Sequence, residues 1–72
     1  MNRETASKVE SALRAVSAQI DETVRIVMNE CDRDEFERYR MIAGRLMGNI
    51  FGDVLSPIYE AHPELMPPEL NE

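Results

Sequence analysis

The chain has 72 residues, one cysteine, one histidine and a formal net charge of −6. A chain of this length forms one small domain and buries only about 60% of its unfolded surface, so it needs additional stabilisation from a disulfide, a metal, close helix packing or oligomerisation. One cysteine excludes an internal disulfide, and one cysteine with one histidine argues against a structural zinc site. We therefore expect no metal and no cofactor, and helix packing and oligomerisation remain.

The acidic excess lies at the C-terminal end, since residues 53–72 carry five acids and no base. This balance argues against nucleic acid or an anionic membrane as the main partner, because both require concentrated positive charge. The polar opening shows no signal peptide, and no apolar run reaches the ~18 residues of a membrane span. We expect a cytoplasmic protein without a membrane partner.

A first helix is predicted from about residue 4 to residue 30. Its apolar residues recur in steps of three and four and fall within an arc of about 60° at 100° per residue. One narrow buried side is therefore expected, formed by Val9, Leu13, Val16, Ile20, Val24 and Val27. Cys31 continues the series, which indicates a buried and unreactive thiol.

A short interruption follows the first helix. Asp32 is a candidate N-cap, and Glu35 three residues later completes a capping box, so a second helix is predicted over about 33–55. A connection this short makes the two helices antiparallel neighbours in a helical hairpin. Because no glycine or proline marks the break, one continuous helix through 29–34 is the alternative.

Pro57 is predicted to end the second helix, since the residue before proline is disfavoured in helical geometry. One further helical turn over 57–62 completes a hairpin domain at 1–62, where His62 would interact with carbonyl groups at the helix end. Residues 63–72 are expected to form an extended, acidic, proline-rich arm. Leu65, Met66 and Leu70 would anchor that arm on a helix, and fraying is the alternative.

The second helix shows two apolar sides. One is a core face that should meet the first helix, formed by Phe36, Tyr39, Ala43, Leu46, Ile50 and Val54. The other combines small and large apolar residues and spans about 60–160° from Phe36 at 100° per residue. Its members are Met41, Gly44, Gly48, Phe51, Gly52, Leu55 and Tyr59.

Three glycines spaced four apart are costly inside a helix, at about 0.8–1 kcal/mol each relative to alanine. Side chains removed along one line let another helix approach closely. We therefore predict that the second side is a homodimer interface and that two hairpins form a four-helix bundle. A helix break at Gly-Asn or Gly-Asp is the alternative interpretation.

No motif in the sequence states a biochemical activity. The leading hypothesis is a non-enzymatic protein–protein interaction module, acting as a homodimer and binding a further protein through a helix surface or the C-terminal arm. The alternative is a small nucleic-acid-binding regulator that gathers Arg3, Arg14 and Arg25, spaced eleven apart, into a basic stripe across the dimer.

Overall fold

A computed structural model describes residues 1–68, and this part of the chain is helical with no strand. Helix α1 spans Arg3–Glu30, and α2 spans Arg33–Asn49. A π-helical stretch, here called the π segment, spans Ile50–Leu55 and leads directly into α3, Ser56–Ala61. A 3₁₀ turn covers Pro63–Leu65. The predicted all-α class is confirmed.

Side-chain caps begin both long helices. The Asn2 carboxamide oxygen accepts from the Thr5 amide at 2.8 Å, and the Asp32 carboxylate accepts from the Glu35 amide at 2.8 Å. Cys31, between the helices, is extended at φ −120° and ψ 166°. The chain thus forms two separate helices here, because Asp32 satisfies an amide that a continuous helix would have bonded to its own backbone.

Within residues 1–68, three hydrogen bonds between side chains connect the first half of the chain with the second. The Tyr39 hydroxyl donates to Thr23 Oγ1 at 2.7 Å, the Tyr59 hydroxyl donates to Glu10 Oε2 at 2.6 Å, and Arg3 Nε donates to Glu64 Oε1 at 3.2 Å. Each later residue is bonded to an earlier residue of α1. The second half of the chain therefore folds back along α1.

Pro57 does not end the second helical region, contrary to the prediction. In a regular α-helix the proline ring would clash with the carbonyl of Asp53, four residues earlier. The π segment precedes the proline, and the Ser56 amide donates to the Phe51 carbonyl five residues back. This wider turn accommodates Pro57, and the helical path continues to Ala61.

The π segment also changes which side chains face α1. A turn closed by i→i+5 bonds holds one residue more than a regular turn, so the residues after it lag by about 100°. Val54, predicted in the core, is 37% exposed, whereas Leu55 and Tyr59, predicted in the dimer interface, are 4% and 3% exposed. The prediction was wrong at these three positions because it assumed a regular helix.

The core lies where α3 and the π segment meet the start of α1. Leu55, Ile58 and Tyr59 pack with Ala6, and this cluster is extended by the partly buried Val9, Leu13, Ile50, Leu65 and Met66. Leu65 and Met66 pack against the core, but residues 63–65 form a 3₁₀ turn and not the start of the extended arm that was predicted. Leu70 lies outside the described residues.

Away from this cluster the predicted core is only partly covered. Ala43 is buried, and five further members of the set are half-buried: Ile20, Val24, Val27, Phe36 and Tyr39. Val16 and Leu46, predicted in the core, are 44% and 49% exposed. Both lie at the edge of their apolar stripes, which the packing of α1 on α2 leaves in solvent.

Candidate interaction surface

Five of the seven residues predicted at the second side of α2 do face solvent. These five residues are here called the glycine face: Met41, Gly44, Gly48, Phe51 and Gly52. The Met41 and Phe51 side chains are 65% and 45% exposed, respectively. The other two predicted members, Leu55 and Tyr59, are already covered within the chain.

Packing inside the chain does not require the three glycines. A Cβ atom built on Gly44, Gly48 or Gly52 has no neighbouring heavy atom within 4 Å. None of the three has a positive φ, so left-handed backbone geometry does not require glycine either. The alternative interpretation was a helix break at Gly-Asn or Gly-Asp. Regular α-helix does end at Asn49, but the chain stays helical through the π segment, which contains Gly52.

Phe51 connects the glycine face to the core. Its ring centroid lies 6.2 Å from that of Tyr59, and the two planes are tilted by 54°. Such tilted aromatic pairs are favourable in addition to the area that they bury. One face of Phe51 is therefore supported from inside the chain, while almost half of the side chain remains in solvent.

A buried carboxylate lies beside the core, at a position that was not predicted to be buried. Glu10 is 3% exposed, accepts a hydrogen bond from the Tyr59 hydroxyl and pairs with Arg14 Nε at 2.8 Å. A signal was present in the sequence, because Glu10 is four residues after Ala6 and three before Leu13, at the edge of the buried stripe. The cluster ties α1 to α3.

Tyr59 is poorly suited to proton transfer at neutral pH. Burial, and then the hydrogen bond to the Glu10 carboxylate, raise the pKa of the Tyr59 hydroxyl to about 12. No polar side-chain atom buried in the described part of the chain lacks a hydrogen-bond partner. The Glu10–Tyr59 pair therefore has the properties of a structural link.

Cys31 is exposed, which corrects the prediction of a buried thiol. The stripe of α1 ends before it, because Cys31 lies past the last helical residue in extended geometry. A hydrogen bond with Glu35, partial desolvation and the neighbouring carboxylates all raise the pKa of the Cys31 thiol. The thiolate, the reactive form, is correspondingly disfavoured.

A cavity of about 250 Å³ lies between the chain start and α3, with Met1, Ala6, Pro57 and His62 among its lining residues. It is smaller than the ~300 Å³ at which ligand pockets usually begin. The His62 Nε2 atom lies 3.3 Å from the Met1 carbonyl oxygen, so the imidazole contacts a carbonyl ahead of α1 instead of one at its own helix end. Among residues 1–68 no group of acidic, histidine or cysteine side chains could hold a metal ion.

The arginines of the suggested basic stripe are all in ion pairs. Arg3 pairs with Glu64, Arg14 with Glu10, and Arg25 with both Asp21 and Glu22. These carboxylates offset the positive potential that a phosphate backbone would require. The described helices also include none with the length and apolar character needed to cross a membrane.

Neither a protein-family model nor a curated protein nor a solved structure matches this chain.

Proposed function

We propose that the chain is a non-enzymatic interaction module: an antiparallel helical hairpin that forms a homodimer through the glycine face. Two hairpins joined in this way make a bundle of four long helices. The second copy would cover Met41 and the exposed part of Phe51, and it would approach the backbone closely along Gly44, Gly48 and Gly52.

The observation that carries this proposal is the open space around the three glycines. Together they cost the helix about 2–3 kcal/mol relative to alanine. Neither steric contact nor backbone geometry within the chain requires glycine at these positions. A contact outside the chain supplies the missing reason, because a helix without side chains along one line admits a close neighbour.

The small core supports the same proposal. Within residues 1–68 the buried hydrophobic residues are Ala6, Ala43, Leu55, Ile58 and Tyr59, and two of these five are alanines. A small domain with so few large buried side chains has a narrow margin of stability. Covering the glycine face in a dimer would add buried apolar area at about 25 cal/mol per Å².

The non-enzymatic part of the proposal rests on the state of the reactive side chains. The pKa of the Cys31 thiol is raised, and the Tyr59 hydroxyl is buried against Glu10 with a raised pKa. Catalysis by either group would require the opposite shift.

The test replaces all three glycines by alanine. If close approach of a second copy is the reason for them, Gly44→Ala/Gly48→Ala/Gly52→Ala stabilises the monomer by about 2–3 kcal/mol and weakens the dimer. Sedimentation equilibrium measures the dimer dissociation constant, and thermal unfolding at concentrations where the protein is monomeric measures stability. The opposite signs of the two effects distinguish an interface from a simple gain in helix propensity.

Ser11→Ala is the matched control, since Ser11 is exposed on α1, away from the glycine face. It should raise helix propensity slightly and leave the dissociation constant unchanged. Gly48→Leu should abolish the dimer and leave the monomer folded, because the added side chain meets open space. A wild-type chain that sediments as a stable monomer throughout the micromolar range would refute the proposal.

A further inference from the structure

Four exposed charged residues are arranged symmetrically along the second half of the chain. Arg38 and Arg45 lie 11 and 4 positions before Asn49, and Asp53 and Glu60 lie 4 and 11 positions after it. All four are exposed, and within residues 1–68 none of them forms an ion pair. Most other basic side chains, by contrast, have a carboxylate neighbour in the same chain.

The four charges also share one side of the helical region. Residues seven apart on a regular helix lie within about 20° of each other, which applies to Arg38 with Arg45. Between Asp53 and Glu60 the remaining part of the π segment widens this angle. Eight regular helical residues would separate Arg45 from Asp53 by about 80°, and the π segment between them narrows this angle. Arg45 lies about 60° from Gly48 at 100° per residue, so the charges border the glycine face.

We infer that two copies of the chain pair antiparallel about a two-fold axis near Asn49, with Arg45 opposite the partner's Asp53 and Arg38 opposite the partner's Glu60. This inference rests on the proposed homodimer and specifies its orientation and register. A two-fold axis across the helices exchanges positions equally distant from Asn49 and keeps them on the same side of the interface. It therefore creates four complementary contacts from four charges that have no ion-pair partner in the described part of their own chain.

The parallel arrangement offers no such contacts. A two-fold axis along the helices moves charges at one edge of the glycine face to the opposite edge of the interface in the second copy, so the four charges would gain no partner there. Complementary charges fix register, and they meet across the interface in the antiparallel arrangement. The charge order along the chain thus selects one of the two ways in which the same face can meet its copy.

Two charge-reversal variants test this orientation. Arg38→Glu/Arg45→Glu makes all four positions acidic, and Asp53→Lys/Glu60→Lys makes all four basic. Each variant alone should show a dimer dissociation constant raised by about tenfold or more at low salt. Mixed in equal amounts, the two should form heterodimers with nearly wild-type affinity, because every contact is again between opposite charges.

The quadruple variant, which carries all four reversals, restores every contact within one sequence and should dimerise as the wild type does. Lys8→Glu/Arg25→Glu is the control, since it changes the net charge as much on exposed positions of α1 and should leave the dissociation constant unchanged. Circular dichroism verifies that each protein is helical. Sedimentation of separate and mixed samples measures the dimers.

The results distinguish the antiparallel register from the proposed homodimer on which it rests. If the wild type dimerises and the reversals have no effect, or if the mixture and the quadruple variant fail to recover affinity, the register is overturned and the dimer stands. If the wild type remains monomeric, both are overturned.

Discussion

Glu10 provides a buried polar contact between α1 and α3. A carboxylate with only 3% exposure is favourable only when hydrogen-bonded and paired, and here the Tyr59 hydroxyl and Arg14 supply both. Removing one partner of such a pair costs more than the pair contributes, because a buried acceptor is left behind. The Tyr59 hydroxyl is therefore expected to matter more than an exposed hydrogen bond would.

Tyr59→Phe should lower the free energy of unfolding at pH 7 by about 1–3 kcal/mol, since Glu10 loses its buried donor. Tyr39→Phe is the matched control, because its bond to Thr23 is only half-buried, and we expect a loss of about 1 kcal/mol or less. Urea denaturation followed by circular dichroism gives both values. Equal losses in the two variants would contradict a special role for the Glu10 contact.

The difference in unfolding free energy between wild type and Tyr59→Phe should depend on pH in a defined direction. The Tyr59 pKa is raised from 10.0 to about 12 in the folded chain, so folding favours the protonated hydroxyl. The contribution is complete below pH 10 and is lost as the pH rises toward 12. The stability difference between wild type and Tyr59→Phe should accordingly shrink over this range, and a difference that grows there would contradict the raised pKa.

The sequence predicted the elements whose causes are local. Asp32 and Glu35 determine the start of α2 through a cap that involves adjacent residues, and the apolar spacing of α1 determines its extent. Both were predicted within one residue. The sequence did not predict the π segment. Pro57 requires a wider turn before it, and the rotation caused by that turn buries Leu55 and Tyr59 only because α1 lies beside them. That rotation moved Leu55 and Tyr59 from the predicted interface into the core.

The π segment predicts that the chain tolerates the deletion of one residue at this place. Because it holds one residue more than a regular turn, deleting Gly52 should convert it to a regular turn and keep Leu55 and Tyr59 facing α1. The deletion is made together with Pro57→Ala, which removes the ring clash. We expect this variant to unfold cooperatively, within about 1 kcal/mol of Pro57→Ala alone.

Deletion of Gln19 in the same background is the control for that experiment. Gln19 is exposed in the middle of α1, where no wider turn can absorb the loss. The deletion turns Ile20, Val24 and Val27 by about 100° relative to Leu13 and should leave the chain largely unfolded. Similar thermal unfolding curves for the two deletions would show that the π segment does not absorb one residue.

The whole molecule is elongated and thin, with principal dimensions of 44 × 23 × 16 Å. Large apolar side chains on both long helices are exposed within residues 1–68, among them Val16, Met41 and Leu46. The elongated molecule thus leaves apolar surface uncovered on both long helices, and the glycine face is part of that surface.

Cys31 allows the proposed antiparallel orientation to be tested by measuring the distance between the two thiols of the dimer. It is the single thiol of the chain, exposed at the connection between the long helices, and lies 18 positions before Asn49. At 1.5 Å per residue, antiparallel copies centred on Asn49 would hold their two thiols roughly 54 Å apart, beyond the reach of any disulfide. Parallel copies would bring the same thiols side by side. A nitroxide attached to Cys31 should thus give a long dipolar distance in the wild-type dimer, and a value below half of this would contradict the antiparallel arrangement. The natural sequence thus contains the labelling site that distinguishes antiparallel from parallel chains.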